Sequence, residues 1–289
     1  MRLQSAFCFL LLWIVLLPVA GLASPRVVPS LRVMSYNIRL DVASDGPNRW
    51  DLRKDRVAGL LRYHTPDIVG VQEALPNQLA DLAAALPAYS WYGPGRDDGQ
   101  QRGEASAIFY RTDRFILLSK GTFWLSATPE APGKGWDAAY PRVCSWVQLR
   151  DKASGRTFYH FNTHLDHVGA TARREGTALI LARMQQVAGS APVLLTGDFN
   201  TAPASEPYQL IQNSGRLQDT ELLTQTPHYG PEGTWATFEV AHGLGDRIDY
   251  VFASAPFSVL QHAHLTDSEK QFYLSDHLPV LAELAWPGK

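Results

Sequence analysis

Polar residues stand where the apolar runs of this chain stop. Asn37 closes the first run, Glu73 the second, His164 and Asp166 follow Phe158 to Thr163, and Asp198 and Asn200 follow Val193 to Thr196. Asp249 opens the run Ile248 to Phe252, and Asp276 and His277 lead into the last one. Taken singly, an Asp or Asn at a strand exit is most often a turn former. Six such endings together imply one convergent site at a common sheet edge. Asn37, Glu73 and Asp276 are hard oxygen donors of the type that suits Mg²⁺, with Mn²⁺ as the alternative ion. Asp198, with Asn200 beside it, is suited to accept a proton from an attacking water. His164 and His277 can donate to phosphate oxygens, each needing an acidic partner to fix its tautomer. The chemistry this set suits is in-line attack of water on a phosphate ester, with charge on the non-bridging oxygens neutralised by a cation.

Such residues need strands that end together. Leu31 to Ile38 reads as a strand, β-branched and apolar at alternate positions, and Asp67 to Glu73 as a strand buried on both faces. Between them, Asp51 to His64 reads as an amphipathic helix carrying Val57, Leu60 and Leu61, stopped by Pro66. Pro76 opens a second helix to about Leu86. Strands are expected at Ala105 to Tyr110, Phe115 to Phe123, Val143 to Leu149, Phe158 to Thr163, Val193 to Thr196, Ile248 to Phe252 and Leu278 to Leu284. Thr171 to Val187 is expected to be a long helix with Ala178, Ile180, Leu181 and Met184 toward the core. The pattern predicts an α/β (α+β) four-layer sandwich: two packed, mainly antiparallel sheets flanked by helices. No Pro/Gly/Ser-rich linker divides it, so residues 24–289 read as one domain.

The first residues have the anatomy of a secretory signal peptide. Arg2 supplies the positive start, and Phe7 to Leu17 is an apolar run too short to span a hydrocarbon core of roughly 30 Å. Gly21 and Ala23 are the small residues before a cut near Ala23, so residues 1–23 are excluded from the fold and the chain is expected to be secreted or periplasmic. Loss of Cys8 leaves Cys144 alone, which leans toward a bacterial periplasm or medium. Loss of Arg2 leaves 25 basic residues against 28 acidic ones, a net charge near −3. That balance disfavours a long nucleic acid as substrate and is neutral toward a small phosphate ester. No transmembrane segment is expected in the mature chain, and a monomer is expected.

Five motifs, MSYNI, VQEA, NTHLDH, GDFN with a following DRIDYVF, and SDHLPV, occur in the order found in the endonuclease/exonuclease/phosphatase superfamily. The chain resembles that group from about Leu31 to Leu284. The resemblance implies that Asn37 and Glu73 hold the metal, with Asp276 a further ligand. It implies that Asp198 orients and deprotonates the water and that Asn200 holds the water or the phosphate. His277 is implied to contact the scissile phosphate with Asp249 as its carboxylate partner, and His164 to be the second histidine. Glu104, in GEASAIFYR, resembles the acidic partner of His164, and Arg142, in PRVCSW, a phosphate-contacting arginine.

Parts of the sequence depart from the pattern. Asp166 is open to two roles, support for His164 or contact with a second metal, and His167 reads as leading into a helix rather than as a catalyst. Trp124, Trp136 and Tyr140 form an aromatic floor for a base or sugar, or are ordinary packing aromatics. His164, Asp166 and His167 also match the last three places of the zinc-hydrolase pattern H-x-H-x-D-H, but Asn162 occupies the first and removes one ligand. The expected activity is phosphodiester hydrolysis. A sugar- or inositol-phosphate monoesterase is the close rival, and TAPASEPY after GDFN resembles the deadenylase branch of 3′-exonucleases. The contrasting class, an inactive binding module, fits poorly because Asn37, Glu73, Asp198, Asn200, Asp249, Asp276 and His277 are all present.

Overall fold

The computed structural model describes residues 30–286, so the expected signal peptide at 1–23 and the cut near Ala23 lie outside the described residues. In chain order the elements are β1 (Leu31–Asn37), α1 (Trp50–His64), β2 (Ile68–Ala74), α2 (Pro76–Ala85), β3 (Tyr89–Tyr92), β4 (Ala105–Arg111), β5 (Phe115–Trp124), β6 (Val143–Asp151) and β7 (Thr157–His164). They continue with α3 (Ala170–Ala188), β8 (Val193–Asp198), α4 (Glu206–Gln212), β9 (Gln218–Asp219), α5 (Thr220–Leu223), β10 (Asp249–Ala253), β11 (Ser258–His264), β12 (Ser268–Glu269), β13 (Phe272–Tyr273) and β14 (Val280–Ala285). One six-stranded sheet has the order β11-β14-β1-β2-β4-β3 and the other β5-β6-β7-β8-β10-β9. Each contains one parallel pair, β1 with β2 and β7 with β8. A parallel pair requires a long crossover, and α1 and α3 supply the two. Among the described residues no helix is long and apolar enough to cross a membrane.

Burial separates the layers. Leu31, Val33, Ile68 and Ile108 of the first sheet meet Val147, Leu149, Phe158 and Val251 of the second. The outer face of the first sheet packs Met34, Val69 and Phe109 on Val57, Leu61 and Leu79 of α1 and α2. The outer face of the second packs Phe161 and Leu195 on Ile180 and Met184 of α3 and Tyr208 and Ile211 of α4. In α3 the buried set includes Ala172, Gly176, Ile180, Met184 and Ala188. These recur every fourth residue, so Ala178 falls on the far side and is exposed, contrary to the sequence expectation. The sequence pattern missed β3 and β11, which are edge strands of the first sheet and only partly buried.

A polar seam crosses the apolar interface between the sheets. Asn162 on β7 donates to Val71 O (2.9 Å) and Ala107 O (3.0 Å) and accepts from Gln72 Nε2 (2.7 Å) and Thr196 Oγ1 (2.9 Å). All four bonding positions of its amide are used, which explains Asn where a zinc hydrolase carries His. Gly70 leaves room for this seam: a Cβ there would lie 2.1 Å from Thr196 Oγ1 and 2.5 Å from Asn162 Oδ1. We therefore expect Gly70→Ala to cost about 1–3 kcal/mol through overpacking. Urea unfolding should show a lower midpoint at unchanged slope, and an unchanged midpoint would mean the seam relaxes freely.

Candidate active site

The two crossovers deliver the site. Asn37, Glu73, His164 and Asp198 stand at or beside the carboxyl ends of β1, β2, β7 and β8, the four strands of the two parallel pairs. Open sheets bind ligands at such ends. The Asn37 side-chain amide donates to Glu73 Oε1 and to Asp198 Oδ2, both at 2.9 Å, and so links the two sheets at the floor of the cleft. Asn200 donates its backbone N–H to Asp198 Oδ1 (2.9 Å), and its side-chain nitrogen lies 3.0 Å from His164 Nε2. His277 Nδ1 meets Asp249 Oδ2 at 2.8 Å, and its Nε2 lies 3.8 Å from Asp198 Oδ2. The sequence-predicted residues Asn37, Glu73, His164, Asp198, Asn200, Asp249, Asp276 and His277 thus meet in one place. A cleft of about 680 Å³ opens over them, lined in part by Glu73, His164, Asp198, Asn200, Asp276 and His277.

Residues remote in sequence hold this geometry. Arg53, buried on α1, donates to Ile38 O, Arg39 O and Leu274 O and so ties the loop after β1 to the segment before Asp276. Ser275 Oγ donates to Asn37 O (2.7 Å), and Gln78 at the start of α2 accepts from Asp41 N (3.1 Å). Thr234 Oγ1 donates to Asp249 Oδ2 at 2.7 Å. Arg39, Glu73 and Asn200, all lining the cleft, adopt left-handed φ angles of 55°, 63° and 48°. Non-glycine residues reach that region only where surrounding contacts compel it, and such strain concentrates at functional sites.

Charge is arranged unevenly. Burial, then the charge of Asp249, push Asp198 up to about 7, against the opposing pull of His277. Burial, and behind it the nearby Glu73, also raise Asp276. Burial disfavours the imidazolium of His277, but Asp249 and Asp198 outweigh it and raise its pKa well above the ordinary value. His164 goes the other way: burial, then the cations Arg142 and Arg96, hold it well below 6.5. It is a neutral imidazole. Its Nδ1 lies 3.9 Å from Glu104 Oε2, beyond hydrogen-bond range, while Glu104 takes its 2.6 Å bond from Arg96. The Glu104–His164 partnership implied by the family pattern is therefore a near contact here, and the bonded partner of Glu104 is an arginine.

The residues left open by sequence also find places. Asp166 is a structural acid. It accepts from the N–H groups of Ala139, Val168 and Gly169 and from Arg142 Nε (3.2 Å). Burial works against its charge, yet those backbone donors and Arg142 hold the carboxyl below the usual range. His167 lines the cleft and takes a 3.1 Å contact from Arg142 Nη2, rather than merely leading into α3. Of the three aromatics, only Tyr140 lines the cleft, stacked on His167 at 6.0 Å. Trp124 donates its indole N–H to Arg96 O and is buried as packing. Arg39, Arg96 and Trp235 also line the cleft and were missed from sequence. A signal existed for Arg39, two residues after Asn37. None existed for Arg96 or Trp235, which lie in irregular loops.

The cleft's donors suit a hard cation. Asn37, Glu73 and Asp198 meet through their side-chain oxygens and amide, and ligand atoms of Glu73, His164 and Asp198 lie within 4.8 Å of one another. Asp276 is not in that tight group; its Oδ2 lies 3.6 Å from Arg39 Nη1, which is also 4.0 Å from Glu73 Oε2.

Comparison with known proteins agrees with this architecture. Residues 34–277 match the model of the Endonuclease/Exonuclease/phosphatase family. The chain belongs to that family. A solved family member from Bacteroides thetaiotaomicron is 40% identical, with a TM-score of 0.87, covering 90% of this chain and 98% of that one. A mannosyl-6-phosphatase from Bacteroides thetaiotaomicron is also 40% identical, with a TM-score of 0.86, covering 89% and 100%. The CCR4-Not complex 3′-5′-exoribonuclease subunit Ccr4 of Emericella nidulans is 24% identical over 96% of this chain. The chain spans about half of that relative's length, 54%.

Asp249 decides the state of His277. Asp249→Asn removes the larger of the two charges that oppose burial, so His277, expected to be an imidazolium at pH 7 in the parent, should become neutral, read from the ring ¹⁵N shifts. In the parent, His277 has a folded pKa above its unfolded value near about 6.5. Its stabilising contribution is therefore full below that value and is lost as pH rises through the folded pKa. A variant still charged at pH 7 would show that another group holds the proton.

Proposed function

We propose that this chain is an exported, Mg²⁺-dependent phosphomonoesterase acting on a sugar phosphate. The observation that carries it is a pair of buried guanidinium N–H groups, Arg96 Nε and Arg142 Nη1, that have no acceptor among the described residues. Both arginines line the cleft beside Glu73 and His164. Buried donors normally find partners, and phosphate oxygens match the fork of an arginine. A phosphomonoester dianion needs more neutralising charge than a diester, and three arginines, Arg39, Arg96 and Arg142, surround the cleft. The 40% identity to a mannosyl-6-phosphatase over nearly the whole of that chain supports a sugar phosphate. Export rests on the apolar run Phe7 to Leu17 and the small residues before Ala23.

Mg²⁺, held by carboxylate oxygens of Glu73 and Asp276 beside Asn37, would supply positive charge to the phosphate and lower the pKa of a bound water. Asp198 accepts the water's proton, and Asn200 holds its carboxylate in place. His277, charged and backed by Asp249 and Thr234, donates through Nε2 to a phosphate oxygen. Neutral His164 accepts or donates without adding charge. Arg96 and Arg142 hold the remaining oxygens, their own directions set by Glu104 and Asp166.

A second reading, hydrolysis of a nucleotide diester, is favoured by Tyr140 and Trp235, half-exposed rings on the cleft wall that can stack a base. The two part on substrate. Rates on p-nitrophenyl phosphate, bis-p-nitrophenyl phosphate, mannose 6-phosphate and a short oligoribonucleotide should favour the monoesters. Preference for the diester or the oligonucleotide would overturn the monoesterase.

Asp198→Asn should lower kcat by about 10²–10⁴-fold. Glu73→Gln should instead first raise the Mg²⁺ concentration needed for half-maximal rate. Near-normal turnover by Asp198→Asn would remove its role as base. Because Asp198 must be ionised to act and its carboxyl sits near 7, kcat/KM should fall as pH drops through that value at low Mg²⁺. Rising Mg²⁺ should move this limb to lower pH, and a limb indifferent to Mg²⁺ would separate Asp198 from the metal.

A further inference from the structure

A second group of ligating side chains gathers where the edges of the two sheets meet, and none of them lines the cleft. Glu221 stands on α5 beside the edge strand β9, and His228 in the loop that follows. His262 and His264 stand two residues apart on β11, hence on one face of that edge strand. One ligand atom from each of the four lies within 4.8 Å of the others.

The hydrogen bonds around the group set its tautomers. The carbonyl of Pro231 takes His264 Nδ1–H at 2.7 Å and His228 Nε2–H at 3.2 Å. A carbonyl can only accept, so the protons sit on those nitrogens and the opposite nitrogens carry lone pairs. His228 Nδ1 then faces His262 Nδ1 at 2.9 Å, and His264 Nε2 faces Glu221 Oε2 at 3.8 Å. A lone pair against a carboxylate oxygen is repulsive unless a cation lies between them. His264 Nε2 is buried without a hydrogen-bond partner among the described residues, on a residue 0% exposed. Arg247 Nη1, at 2.5 Å, holds the Glu221 carboxylate in position. A backbone carbonyl behind His228 and His264 and an arginine behind Glu221 form the kind of arrangement that orients metal-binding imidazoles and carboxylates.

We propose that Glu221, His228, His262 and His264 form a structural Zn²⁺ site that clamps the edge of one sheet to the edge of the other. Three imidazoles and a carboxylate suit Zn²⁺, whereas Mg²⁺ takes oxygen ligands. Tetrahedral Zn²⁺ with bonds of about 2.0–2.1 Å separates its ligands by about 3.3 Å, between the 2.9 and 3.8 Å found here. Four protein ligands close the coordination sphere, so the ion stabilises rather than catalyses. It would anchor the loop that runs from His228 to Thr234, whose hydroxyl bonds Asp249 in the cleft. The clamp stands independently of the substrate assigned to the cleft.

The test is metal titration of the chelator-stripped protein with Co²⁺ or Zn²⁺ alone, at saturating Mg²⁺. The wild type should take up one equivalent of Co²⁺ with the intense visible absorption of tetrahedral coordination, displaced by Zn²⁺. Zn²⁺ at a hundredfold excess over its Kd should raise the thermal midpoint by roughly 5 °C or more. The band and the shift should be lost in His264→Gln and in His228→Ala, and retained in Glu73→Gln. The half-buried His228 gives a variant that keeps the core if His264→Gln fails to fold. A wild type without the band overturns the proposal, whatever the variants do. So does a band that disappears in Glu73→Gln and survives in His228→Ala, which would place the ion in the cleft.

Discussion

The Asn37 amide, donating to a carboxylate on each sheet, is the contact on which the rest of the site depends. Glu73 belongs to one sheet and Asp198 to the other, and both are nearly buried. Two buried carboxylates repel, and burial drives the Asp198 carboxyl upward. A single donor group shared between them lets the sheets close without either carboxylate being left bare. The same crowding of Glu73, Asp198, Asp249 and Asp276 creates the negative field a divalent cation answers. The site is costly to the fold by itself, and its ligands relieve that cost.

The surrounding structure is built to resist relaxation. Arg53 gathers four carbonyls, those of Ile38, Arg39, Asn48 and Leu274, Ser275 bonds Asn37 O, and Thr234 bonds Asp249. Left-handed backbone at Arg39, Glu73 and Asn200 stores strain that these bonds hold. Preorganisation of this kind lets dipoles and charges face the reacting phosphate without reorganising during the reaction. It also separates the two histidines: charged His277 is set by carboxylates, neutral His164 by burial and then by arginines. One imidazole thus donates charge and the other adapts, although both stand against Asp198.

Family membership rests on agreement of sequence and fold along most of the chain, while the substrate rests on the cleft walls. Those walls come from irregular loops that carry Arg96, Tyr140 and Trp235. Loops of this sort differ between relatives that share strands, which is why a sugar phosphatase and an RNA exonuclease can share one core. The proposed zinc clamp likewise sits in loop and edge-strand residues, outside the shared machinery.

The strand-ending polar residues were legible from the amino-acid order because a buried strand must be apolar until it leaves the core. Asn37, Glu73, His164 and Asp198 each break such a run, and the first two helices follow from apolar spacing and from Pro66 and Pro76. Edge strands β3 and β11 were not legible, since half-exposed strands lack the apolar run that marks a central one. The role of Asp166 was undecidable from order alone: its partners at Ala139, Arg142 and Gly169 are brought to it by a loop and a helix start. Likewise Arg53 looks like a misplaced charge on an apolar helix face until the loops that it bonds are folded over it. Local order thus determined which residues end strands and which turn inward, because burial acts on each segment separately. Only the packed sheets decided which carboxylates face one another and which cations answer them, because electrostatic partners are chosen by distance in space.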